Sequence, residues 1–164
     1  MMRKNPAKTR KTTRRRFVAG AAAGALAARA FLHGRAAWAS PEELVAAIRT
    51  IAKGAEPMEG RVKVDAPALA ETGNAVQVKV SVESPMNERD RVAAIHILLE
   101  KNPEAEAAHF RFGRAAGKAE VTTRLRMFAP QRVVGVAELG DGSFWIGSAH
   151  VEVTLAACVD PDVK

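Results

Sequence analysis

The sequence predicts an all-β fold, an antiparallel β-sandwich with one helix at its N-terminal side, and three observations carry that expectation. From Gly60 onward, apolar residues recur with period two. The alternating runs, about seven of them, are separated by Gly, Pro or Asn. Helical spacing is confined to one stretch before Gly54, which speaks against an α/β architecture. A chain of 164 residues suits one such domain and is short for two good cores.

The elements follow in order. Residues 1–39 read as a cleavable leader. Thr13-Arg14-Arg15-Arg16-Phe17-Val18 sets a twin arginine, Arg14 and Arg15, before apolar residues, and an Ala-rich run extends from Val18 to Ala28. Ala37-Trp38-Ala39 is a small-x-small site that predicts cleavage after Ala39. Arg29 ends the apolar run short of the roughly 18–20 residues a membrane span needs, so no span is expected. This leader predicts a periplasmic protein exported folded by the twin-arginine route. Ser40-Pro41-Glu42-Glu43 is a helix start, with Ser40 as cap and Pro41 in the first turn. Leu44, Ile48 and Ile51 then form one apolar face.

Val62 and Val64 open the strand region. Val76, Val78, Val80 and Val82 alternate with polar residues after a Gly73-Asn74 turn, and Ile95 to Leu99 is a more apolar strand closed by Asn102-Pro103. Strands are expected over His109 to Phe112, Ala119 to Met127 and Gln131 to Leu139. After the Gly140-Asp141-Gly142 turn, the last strand runs from Ser143 to Leu155. The domain is thus 40–155, followed by a cysteine-bearing tail, 156–164.

The net charge of +7 suggests nucleic acid until the charges are placed. Residues 1–39 hold 10 of the 25 Lys and Arg and no acid. The remaining 15 bases face 18 acids, a net of −3, so the body has no basic stripe for phosphates. A single cysteine excludes an internal disulfide framework. His96, His109 and His150 show no ligand spacing along the chain, and no metal site is expected from them. His96, between Ile95 and Ile97, should point to the opposite, solvated or partner-facing side. Of Phe144 and Trp145, one is expected in the core and the other at an edge or a partner. Arg124 and Arg126 should mark a solvated strand face.

Cys158 is the residue that looks chemical. Exported proteins usually pair their cysteines or lack them, so a lone thiol just after the last strand is reactive, intermolecularly paired or buried. Asp160 and Asp162 lie close and Lys164 is six residues on, so the flanking sequence lacks cations that favour a thiolate. That suits a thiol activated by whichever enzyme it visits better than a catalytic one.

Several stretches together resemble the SoxY family, the sulfur-compound carrier subunits of the bacterial thiosulfate-oxidising Sox system. They are Glu71-Thr72-Gly73-Asn74-Ala75-Val76, Val80 to Met86, Ile95-His96-Ile97 with Glu100 to Pro103, and Asp141-Gly142-Ser143-Phe144-Trp145, within 43–158. The resemblance implies an immunoglobulin-like sandwich and no cofactor. It implies a heterodimer with SoxZ, exported already bound, and transient visits to a Sox c-type cytochrome, a hydrolase and a sulfur dehydrogenase. It also implies covalent attachment of the sulfur substrate to Cys158 on an arm formed by Ala156, Ala157 and Val159, the chain itself catalysing nothing. Family members typically end Gly-Gly-Cys-Gly-Gly, whereas here alanines precede the cysteine and six residues follow it. The alternatives are a divergent SoxY-like partner-binding module without covalent cargo, and a thiol enzyme using Cys158 with a histidine.

Overall fold

The computed structural model describes residues 41–158; Arg14, Arg15, Ala39, Ser40 and the tail from Val159 lie outside them. Helix α1 (Pro41–Ile51) carries Glu42 and Glu43 in its first turn and Arg49 in its last, signs that suit the helix dipole. The helix closes where Lys53 and Gly54 turn left-handed, and the Gly54 N–H donates to the Arg49 carbonyl at 2.9 Å.

The strands are β1 (Met58–Glu59), β2 (Val62–Asp65), β3 (Leu69–Thr72), β4 (Val76–Val82), β5 (Val92–Leu99), β6 (Glu106–Arg111), β7 (Glu120–Leu125), β8 (Gln131–Leu139) and β9 (Phe144–Leu155). They form two sheets. The larger has the order β1-β9-β8-β5-β6, with β3 also paired along β9, and the smaller has the order β2-β4-β7. Period two explains the layering directly. Val76, Val78, Val80 and Val82 of the small sheet meet Ile95, Ile97, Leu99, Val133, Ala137, Val151 and Val153 of the large one. This is the immunoglobulin-like sandwich the alternation and the family resemblance predict.

The large sheet buries its outer face too. Leu44 and Ala52, backed by Ile48 and Ile51, pack on Leu98, Val134, Val136 and Phe144. That is why β5 and β8 read as nearly continuous apolar runs rather than alternating ones. The Lys53 ammonium adds an ion pair to Glu138 at 2.6 Å, at the end of the helix.

Strands β1 and β3 carry no legible alternation, being two and four residues long. Both pair parallel to β9, β1 at Trp145–Ile146 and β3 at Glu152–Leu155. Between them the chain leaves for the small sheet as β2 and passes so close to β9 that a Cβ at Gly147 would stand 2.1 Å from the Val62 carbonyl oxygen. The predicted Gly73-Asn74 turn is a single 3-10 turn (Gly73–Ala75), capped by the Thr72 hydroxyl accepting from the Asn74 N–H.

Candidate functional site

The site is built from the end of β9. Past Leu155 the chain continues through exposed Ala156, buried Ala157 and exposed Cys158, whose thiol is free. Ala157 is fixed by its backbone. Its N–H donates to the Met127 carbonyl at 3.0 Å, and the Met127 N–H donates to the Gly73 carbonyl at 2.8 Å. Three segments distant in sequence thus lie side by side, and the middle one, Met127, is fully buried. Only glycine fits at the first. A Cβ on Gly73 would stand 2.1 Å from the Met127 oxygen and 2.9 Å from the Ala157 nitrogen.

Met127 is held in turn by a buried amide pair. Gln131 is completely buried; its amide NH2 donates to Asn102 Oδ1 at 2.9 Å, and its Oε1 accepts from the Lys101 N–H at 2.7 Å. Asn102 donates to the Arg126 carbonyl at 2.8 Å. Asn102 also accepts from the Phe128 N–H at 3.4 Å and so brackets Met127 on both sides, while Gln131 holds Asn102 in place. The thiol is therefore presented at the rim of a rigid platform, one residue beyond a docked alanine. Val159, the third predicted arm residue, lies outside the described residues.

Gly73, Met127, Asn102 and Gln131 were not legible as arm supports. Gln131 carries one signal, a polar residue in the inward phase of Val133 and Ala137, where an amide must find partners.

Among the described residues, no histidine is hydrogen-bonded to Cys158. His150, on β9, is exposed and bonded to Glu152 at 3.0 Å. His96 points away from Ile95 and Ile97 as predicted, but the expected solvated position is corrected: it is only 9% exposed. Its Nδ1 lies 2.7 Å from a Glu106 carboxylate oxygen, and its ring stacks on His109. Antiparallel pairing thus unites two histidines that show no ligand spacing along the chain. Phe144 is buried beneath α1, while Trp145 packs at the margin of the sandwich with the Arg61 guanidinium over its ring at 5.2 Å. Arg124 and Arg126 are exposed, as expected.

Two carboxylates are held below their ordinary range, and both brace turns of the large sheet. Burial raises Glu100, but hydrogen bonds and charge from Arg132 outweigh it and lower it from 4.5. Asp141 is lowered from 3.8 by the Ser143 hydroxyl and N–H, which it accepts in the β8–β9 turn.

The family model for sulfur oxidation protein SoxY matches residues 48–158, from α1 to the cysteine itself. The chain belongs to the SoxY family. The sulfur carrier protein SoxY from Chlorobium limicola f thiosulfatophilum is 26% identical, with a TM-score of 0.58, over 68% of this chain and 92% of that one. Two forms of the superoxide reductase (neelaredoxin) from Ignicoccus hospitalis share the fold at a TM-score of 0.51. One is 18% identical over 63% of this chain and 85% of its own. The other is 17% identical over 74% and 98%. At that identity the likeness concerns the sandwich alone. No curated protein matches the chain. Membership of the SoxY family assigns this chain a sulfur-oxidation carrier role. Among the described residues, no helix is long and apolar enough to cross a membrane.

Proposed function

We propose that this chain is a periplasmic carrier subunit, exported by the twin-arginine route, that holds sulfur-oxidation intermediates covalently on Cys158. It works as a heterodimer with a SoxZ-like subunit and presents its cargo to Sox enzymes, catalysing nothing itself. The observation that carries this reading is an exposed, free thiol one residue beyond the docked Ala157, at the end of the family match.

The chemistry balances with partners of the classes named. Cys158 and thiosulfate lose two electrons to the c-type cytochrome and one proton to solvent, forming a disulfide-linked S-sulfonate. A hydrolase adds water across the terminal sulfur–sulfur bond, releasing sulfate and a proton and leaving a persulfide. The sulfur dehydrogenase then oxidises that outer sulfur with three waters to a Cys158-bound S-sulfonate, releasing seven protons and passing six electrons to a c-type cytochrome. The polypeptide contributes only the sulfur atom, its exposure and the platform behind it.

The test is the intact mass of the protein from cells grown on reduced sulfur, before and after a thiol reductant. A reducible increment of sulfur or thiosulfonate, localised to Cys158 and abolished in Cys158→Ser, is expected. An unmodified thiol with a partner subunit still co-purifying would replace this reading with the cargo-free partner-binding module.

A further inference from the structure

We propose that His96, His109 and Glu106 form a binding site for a divalent transition metal ion of the zinc class, at the β5–β6 edge of the large sheet. The site is made by register. His96 on β5 stands directly opposite His109 on β6, and their rings stack 4.2 Å apart at 12°. In an unbroken ladder Glu106, three residues before His109, would project from the other face of the sheet. It does not, because β6 carries an irregularity. Ala108 pairs with Ile97 and Glu106 pairs with Leu98, leaving Ala107 as the extra residue. The bulge shifts the phase of β6 by one and brings the Glu106 carboxylate onto the face of His109, 2.7 Å from the His96 ring.

The result is a set of two imidazoles and one carboxylate whose ligand atoms lie within 4.8 Å of one another. Zinc holds nitrogen and oxygen ligands at about 2.0–2.1 Å, so tetrahedral ligand atoms sit roughly 3.4 Å apart. Closing that difference needs the stacked rings to open and converge. His96 is buried and anchored, whereas His109 and Glu106 are exposed and have room to turn. Glu106 alone satisfies the buried His96, so the stacked His109 is surplus to that bond. Two imidazoles with one carboxylate suit zinc, copper or nickel, not calcium or magnesium. With two of its three side chains exposed, the site leaves a coordination position open to water or a small anion. It lies on the side of the large sheet away from β9, and thus apart from the Cys158 arm.

A thiol binds zinc as well, so the experiment uses untagged full-length chain carrying Cys158→Ser. Zinc is titrated by calorimetry near neutral pH, where imidazoles are available, with cobalt as spectroscopic probe. One site per chain is expected, with the intense visible bands of four- or five-coordinate cobalt. His109→Asn and Glu106→Gln, both exposed changes, should each weaken binding about tenfold or more. Zinc should raise the unfolding midpoint of the parent more than that of either variant. Affinity unchanged in both variants, or parent binding no stronger than that of a chain carrying His109→Asn and Glu106→Gln together, would overturn the proposal.

Discussion

Gly73→Ala tests the platform beneath the cysteine. The added methyl carbon would stand 2.1 Å from the Met127 oxygen and 2.9 Å from the Ala157 nitrogen, both backbone atoms. No flexible side chain gives way there, so Met127 must shift, and its two hydrogen bonds go with it. Those bonds measure 3.0 Å from Ala157 and 2.8 Å to Gly73. Each contributes about 1 kcal/mol, more where a buried donor is left unpaired. The variant also gains about 0.4–1 kcal/mol by restricting the unfolded chain. The net expectation is a loss of about 1–3 kcal/mol. Urea unfolding reads the total, and hydrogen exchange at the Ala157 amide reads the arm, whose protection should fall at least about fivefold. Stability within about 0.5 kcal/mol of the parent, with the Ala157 amide still protected, would refute the platform.

Two further predictions concern the surroundings. Gln131→Leu keeps an apolar core position but strips the partner from the Lys101 N–H and leaves Asn102 Oδ1 only the long bond from the Phe128 N–H at 3.4 Å. It should cost about 2–4 kcal/mol in urea unfolding and weaken Ala157 protection at the same time; a loss of stability without effect on that amide would separate the clamp from the arm. Glu100 and Asp141 are both depressed in the folded state, so each contributes stability that is complete above its ordinary value and lost as pH falls through the folded one. Stability should therefore decline below about pH 4.5, and Glu100→Gln and Asp141→Asn should flatten that slope; unchanged slopes in both would show that other carboxylates control it.

What the sequence made legible follows its periodicities. Val76 to Val82 alternates because the small sheet buries one face, and the helix face of Leu44, Ile48 and Ile51 is legible because it has one surface to cover. β1 and β3 were hidden because strands that short hold no period, and their parallel pairing with β9 depends on chain reversals that only the assembled sheet supplies. The cysteine was legible as a lone residue at a distinctive place. Its support was not, since Gly73, Met127 and Ala157 meet only through backbone atoms, about which side-chain patterns say nothing. His96 and His109 show the same limit from the other direction. They stand thirteen positions apart along the chain, and direct cross-strand pairing joins them.

The alanines before Cys158 gain a physical meaning from this platform. A Gly-Gly arm is free by default, whereas Ala157 is only 5% exposed, with its methyl group buried and its N–H bonded to the Met127 carbonyl. Burying a group of that size contributes about 0.8 kcal/mol, and replacing alanine by glycine returns about 0.5–1 kcal/mol of backbone freedom to the released arm. Ala157→Gly should therefore move the docking equilibrium by about 1–2 kcal/mol, a factor of about 5–30 toward the free arm. Under the proposed function, in which the sulfur enters other active sites, the chain would bind them in proportion to the fraction of arm that is free. In the parent the buried Ala157 methyl and the hydrogen bond to Met127 both favour the docked arm. A spin label on Cys158 would report the free fraction as a mobile component that grows in Ala157→Gly. Ala156 is exposed and makes the control, since Ala156→Gly adds the same backbone freedom without losing a packed methyl. Equal mobility in the two variants would assign the effect to glycine flexibility alone; a larger increase in Ala157→Gly would assign it to docking.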